Sequence, residues 1–300
     1  MTLNFSSCIS LQSSFEFIHY QHRRAPHFYQ FIVAMLRPSA LLSSWAFLMI
    51  VPRCYVACAV KRTKMTLITF DVDGTLIHGT SSAEAASHAK AFSYGVGSIF
   101  APDRLEEFRL QYPNPLSAIT KENYHGSTDG LIALHFARSA CGVSSQDAFP
   151  KLNDIFQKMF EFISPLSDSE MCKGIEVLPG VIQTLESLVR HHNFRDHLLC
   201  GLVTGNVEGI ARKKMRASGI LATKVFSKSA PDQQSWTGEE GSSFLGGFGS
   251  DYCSGDIDDV SRIYKDRGEQ ISIAYGRAKA MLRGIIAFSG TNLFCCNALQ

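Results

Sequence analysis

The stretch TLITFDVDGTLIHGT, residues 66–80, decides the reading of this chain. An apolar run ends in two aspartates one residue apart, Asp71 and Asp73, and Gly74 and Thr75 follow at once. Residues 65–70 read as a strand, and in open α/β sheets ligands bind in the crevice beyond the carboxyl ends of the strands. If strand geometry continues, the two carboxylates lean to the same side. Asp71 then faces a ligand as a nucleophile or metal ligand, and Asp73 acts as a general acid and base. Gly74 lets the chain turn, and Thr75 hydrogen-bonds the turn. A solvated Asp-rich turn is the plain alternative, and the apolar strand in front argues against it.

Working outward, the chain alternates strand-like and helix-like segments from Met65 onward, which predicts an α/β fold. LLCGLV (198–203) is a continuous apolar run, as expected of a strand buried on both faces. Between the two strands DRLEEFRLQY (103–112), DGLIALHFARSA (129–140) and SQDAFPKLNDIFQKMFEFI (145–163) carry apolar residues at helical spacing. Pro150 kinks or restarts the last of them. A helical block between two buried parallel strands is most simply an inserted cap domain. LPGVIQTLESLVRHH (178–192) reads as a helix returning to the sheet. In the next helix Asn206 is the expected N-cap, and Gly219 stands where a C-terminal glycine falls. The Ser- and Gly-rich residues 227–250 read as a long loop. Their GGFG lacks the Lys-Ser or Lys-Thr of a phosphate-binding P-loop.

Composition narrows the classes. The chain has 300 residues, 45% hydrophobic and 19% charged, with a formal net charge of +2, which makes no case for nucleic acid binding. Nine cysteines without CxxC spacing argue against a disulfide framework or zinc site and for reduced thiols in an intracellular compartment. Residues 1–64 hold one acid, Glu16, against seven Lys or Arg, and read as a leader outside the fold. Such a leader is similar to an organellar transit peptide, which would imply a mitochondrion or plastid; otherwise the expected location is cytoplasmic. Its apolar run SALLSSWAFLMIVP (39–52) is shorter than the roughly 20 residues a membrane span needs, so a membrane partner is not expected.

FDVDGTL resembles the first motif of the haloacid-dehalogenase-like hydrolases, mostly Mg²⁺-dependent phosphatases. VTGN (203–206) is similar to the second motif, LPGV (178–181) to the return of the helical-cap branch into its core, and GSTDG (126–130) to the substrate-reaching cap loop of phosphoglycolate-phosphatase-like members. The resemblance implies a Rossmann-like parallel sheet core over 65–80 and 176–300 with a helical cap over 81–175. It makes Asp71 the nucleophile that forms an aspartyl-phosphate, and Asp73 the group that protonates the leaving oxygen and then activates water. Thr204 holds the phosphoryl group, aided by Gly74, Thr75, and the backbone amides of Gly205 and Asn206 opening a helix. Mg²⁺ is held by Asp71 and the backbone carbonyl of Asp73. The lysine the family needs is Lys214, on the face of Val207, Ile210 and Ala211; Lys213 projects toward solvent, and Lys228 is an outside candidate. Thr128 and Asp129 contact a small phosphorylated substrate. A sugar phosphomutase or a non-catalytic relative would share these features.

The fourth motif, an apolar strand ending in acids that complete the Mg²⁺ shell, is not where the resemblance places it. After YGRAKAM (275–281) the chain continues LRGIIAFSGTNLFCCNALQ, and no Asp or Glu follows Glu269. The C-terminal end is therefore expected to differ from the family's. Asp251 and Asp256, in GSDYCSGDIDD (249–259), are the substitute metal ligands, although the FLGGFG before them makes a poor buried strand and the cluster reads as a surface loop.

Overall fold

The computed structural model describes residues 65–79, 87–119, 126–191, 197–227, 244–259, 261–282 and 292–296. The leader expected over 1–64, Lys228 and the apolar run 285–290 lie outside the described residues.

Strand β1 is Thr66–Phe70. Past Asp73 the chain turns on Gly74, at φ 79, a left-handed conformation that costs glycine little. The turn is closed by the Gly74 amide on the Ile77 carbonyl at 2.7 Å. Strand β2, Ile77–Gly79, follows. The α-helices described next are α1 Ser87–Phe100, α2 Leu105–Gln111, α3 Asp129–Cys141, α4 Ser145–Ala148, α5 Leu152–Ile163 and α6 Asp168–Met171. The helical pattern expected over 145–163 is interrupted at Phe149–Lys151, where Pro150 tightens the backbone to a 3₁₀ turn and the helix restarts. Strand β3, Ile175–Val177, brings the chain back and pairs antiparallel with β2, Ile77 opposite Val177.

The remaining elements are α7 Val181–Arg190, β4 Leu198–Thr204, α8 Glu208–Ala217, β5 Gly246–Phe248, α9 Arg262–Leu282 and β6 Asn292–Cys296. β5, β4, β1 and β6 form one parallel sheet in that order. Phe70 lies opposite Leu202, so the residues after β1 and the end of β4 open on the same edge.

Side-chain alternation gives the sheet two buried faces. Phe70, Cys200 and Leu202 pack on Leu185 of α7 and on Ala211 and Met215 of α8. Leu67 and Leu199 face Ala278 and Leu282 of α9. Both faces are covered, which is why β1 and β4 read as continuous apolar runs. The helical block has its own core of Phe92, Phe136, Ile155, Phe156 and Met159, joined by Val207 and Ile210 at the start of α8. Full burial of each such side chain contributes about 1.5–3 kcal/mol.

The stretch read as loop over 227–250 contains a strand. Gly246–Phe248 is buried and continues the sheet, Leu202 opposite Gly246 and Thr204 opposite Phe248. The glycines that argued against a strand are what make it fit. A Cβ on Gly247 would lie 1.9 Å from the Gln270 carbonyl oxygen, so the backbone of α9 rests directly on β5. Among the described residues no helix is long and apolar enough to cross a membrane.

Candidate active site

The sheet's carboxyl edge gathers Asp71 and Asp73 from the turn after β1, Thr204 from the end of β4, Asn206 from the next loop and Lys214 from α8. Asp71 accepts the Val72 amide on Oδ1 at 2.9 Å, and its Oδ2 lies 3.4 Å from Nη2 of Arg267 on α9. The Thr204 hydroxyl also hydrogen-bonds Asp71. Burial raises the Asp71 carboxyl above its ordinary range; Arg267 opposes the rise and the charge of Asp73 adds to it.

Lys214 reaches Asp73, not Asp71. Its Nζ lies 2.9 Å from both Asp73 oxygens and donates to Asn206 Oδ1 at 2.6 Å. The lysine side chain is 3% exposed and that of Asp73 50%. What burial Asp73 has works against its charge, but the ammonium of Lys214, His88, and hydrogen bonds from Lys214 and Asn206 hold its carboxyl below the usual range. Lys213, expected in solvent, is buried instead and donates to the carbonyls of Ser164 and Leu166 beyond α5. Its four-carbon stem lets it bridge to the helical block, a partner the helix face alone does not reveal.

Asn206 does not cap α8; the N-cap residue is Val207. Its Nδ2 donates to Asp73 Oδ2 at 2.6 Å and to Thr204 Oγ1 at 3.1 Å, while its own amide donates to Thr204 Oγ1 at 3.3 Å. A carboxylate and an ammonium at hydrogen-bond distance outcompete the neutral cap. Other segments serve the helix start: Asp129 Oδ2 accepts the Val207 amide at 2.8 Å, and Ser250 Oγ accepts that of Glu208 at 3.2 Å. A carboxylate there is favoured by the helix dipole.

Thr128 and Asp129 are buried in protein contacts. Thr128 accepts the Leu131 amide as N-cap of α3. Asp129 donates its own amide to the Gly205 carbonyl at 2.7 Å and places its carboxylate 3.0 Å from His88 Nε2. Gly205 permits this approach, since a Cβ there would lie 2.5 Å from the Ser127 carbonyl oxygen. The GSTDG loop is thus interlocked with the loop after β4.

Sequence reasoning missed Arg267 and His88. Arg267 sits 196 residues after Asp71 with no local motif around it; its helical spacing to the buried Gln270 and Ala274 is the one signal that places it inward. His88 carries no signal beyond its type.

The acids offered as substitute metal ligands are committed elsewhere. Asp251 is gripped by Arg277 at 2.6 and 2.7 Å and accepts the Phe248 amide at 2.9 Å. Asp256 accepts the amides of Asp258 and Asp259 and lines a water-sized cavity of about 10 Å³ with Ser127, His135 and Ile263. Among the described residues no three His, Cys, Asp or Glu side chains converge as a metal site. Mg²⁺ asks for near-octahedral oxygen ligands, usually one or two carboxylates with water and phosphate. Here both carboxylate oxygens of Asp73 face Lys214 and Asp71 faces a guanidinium, and among the described residues no further acid joins Asp71 and the Asp73 backbone carbonyl to complete the shell that the resemblance implies.

A scan against protein-family models gives no match for this chain. A search of curated proteins finds no match either.

Proposed function

We propose that this chain handles the phosphoryl group of a small phosphorylated metabolite, as a phosphatase of the haloacid-dehalogenase-like type, with the helical block of residues 81–175 as its cap. The observation that carries this reading is the convergence of Asp71, Asp73, Thr204 and Lys214 at one sheet edge, the first two from the turn after β1 and the others from β4 and α8 much further along the chain. In this reading an Asp71 oxygen attacks phosphorus, the bond from phosphorus to the leaving oxygen breaks, and Asp73 gives that oxygen its proton. Asp73, again a carboxylate, then takes a proton from water, which attacks phosphorus, breaks the aspartyl bond and releases inorganic phosphate. The bonds from Lys214 and Asn206 favour the carboxylate form of Asp73, which suits the second transfer, and they oppose the protonated form that the first one uses.

The donor set supports a second reading. With Asp251 held by Arg277 and Asp73 by Lys214, the site binds a phosphate ester without turning it over. A phosphatase assay on the full chain with a panel of phosphomonoesters, with and without Mg²⁺, separates the two. Turnover lost in Asp71→Asn supports hydrolysis, and ester binding without turnover supports the second reading. Turnover unchanged in Asp71→Asn refutes the assignment of the nucleophile.

A further inference from the structure

The two arginines that α9 sends toward the sheet edge are held in different ways. Arg277 makes three short bonds: 2.6 and 2.7 Å to the two oxygens of Asp251, and 2.9 Å to the Gly246 carbonyl. Those are the lengths of a closed, charge-assisted fork. Among the described residues Arg267 makes two long ones, 3.4 Å to Asp71 Oδ2 and 3.5 Å to Gln270 Oε1. Its side chain is 18% exposed, so the guanidinium is confined but loosely engaged. A guanidinium carries five N–H donors in a planar fork suited to phosphate.

Its position matters as much as its engagement. A Cβ on Gly205 would lie 3.4 Å from Arg267 Nη2, so the guanidinium spans the gap between Asp71 and the loop after β4. An oxyanion that approaches Asp71 from the side of the loop after β4 meets that fork. Each carboxylate already faces one cation, Asp73 the ammonium of Lys214 and Asp71 the guanidinium of Arg267. The usual purpose of a divalent cation in phosphoryl chemistry is to offset the repulsion between carboxylate and phosphate. In this chain a guanidinium stands against the Asp71 carboxylate, while the acids offered to complete a metal shell are bound to Arg277 and to backbone amides.

Resting on the reading of this edge as a phosphoryl site, we propose that it binds a tetrahedral oxyanion without a divalent cation, with Arg267 as the countercharge that takes the metal's place beside Asp71.

Calorimetric titration of the full chain with inorganic phosphate, once in EDTA and once in excess Mg²⁺, tests this. The expected affinities agree within about twofold. Arg267→Ala weakens binding at least tenfold, and Arg267→Lys, which keeps the charge and loses the fork, falls between. Lys265→Ala, an exposed neighbour on α9 paired with Asp259, leaves it unchanged. Asp71→Asn is the sharpest arm: it removes a negative charge and frees the fork, so phosphate binds several-fold tighter, whereas a metal-centred site loses affinity with its ligand. Circular dichroism confirms that each variant is folded, and the lysine variant carries the test should the alanine one unfold. Binding that appears only with Mg²⁺, or that Asp71→Asn abolishes, overturns the metal-free site and leaves the phosphoryl reading standing. Absence of phosphate binding in both buffers overturns both.

Discussion

Replacing Lys214 by methionine keeps the length and packing of a stem whose side chain is 3% exposed and removes the ammonium that three oxygens share. Two losses follow, and they differ in pH dependence. Asn206 Oδ1 loses its 2.6 Å donor inside the protein, a buried acceptor left unsatisfied at a cost of about 1 kcal/mol. Asp73 loses its counterion; because its side chain is half exposed, water replaces much of that interaction, which leaves about 1 kcal/mol rather than the larger cost of a fully buried pair. The deficit in urea unfolding at pH 7 is therefore about 2 kcal/mol. The sign of the pH dependence follows from Asp73, whose carboxyl the fold holds below its ordinary range. Its contribution is complete above the unfolded value of about 4 and disappears as pH falls through the lowered folded value. The difference between wild type and Lys214→Met should shrink to about 1 kcal/mol, the Asn206 part, once Asp73 is protonated. A variant as stable as wild type at pH 7, or a deficit of equal size at both ends of that range, refutes the reasoning.

Gly247→Ala places a methyl 1.9 Å from the Gln270 carbonyl oxygen, backbone against backbone, and should cost on the order of 3 kcal/mol in urea unfolding. Asp129→Asn keeps an acceptor for the Val207 amide but loses the charge facing His88 and the helix start. It should cost about 1 kcal/mol and speed hydrogen exchange at the Val207 amide, while exchange at the centre of β1 rises only in step with the loss of global stability.

Where local pattern and tertiary role coincide, the molecule was legible from its residues. β1 and β4 are buried on both faces, so their apolar runs show through, and Asp71, Asp73 and Thr204 follow from standing at the ends of those strands. Lys214 was found because a helix turns every seventh residue to the same side as Val207. The misses share a cause: a partner distant in sequence decides. Gly246–Phe248 is a strand because α9 leaves no room for side chains, which composition reads as a loop signal. Asn206 has the chemistry of a cap and is drawn instead to Lys214 and Asp73. Arg267 reaches Asp71 across a separation of 196 residues, which no local pattern spans.

The short β2–β3 ribbon has a consequence for how such a chain is modular. Both passages between the sheet and the helical block run side by side, Ile77 against Val177 and Gly79 against Ile175. The two ends of the intervening segment are therefore neighbours in space, so a transplant cut at this ribbon has one short gap to close on the sheet side. The sheet side is not inert, because Val207 and Ile210 belong to the block's own core. Any replacement must therefore bring an apolar surface that fits these two residues and an anion for the Val207 amide. Compatibility with the start of α8, more than the length of the graft, sets which inserts this sheet accepts.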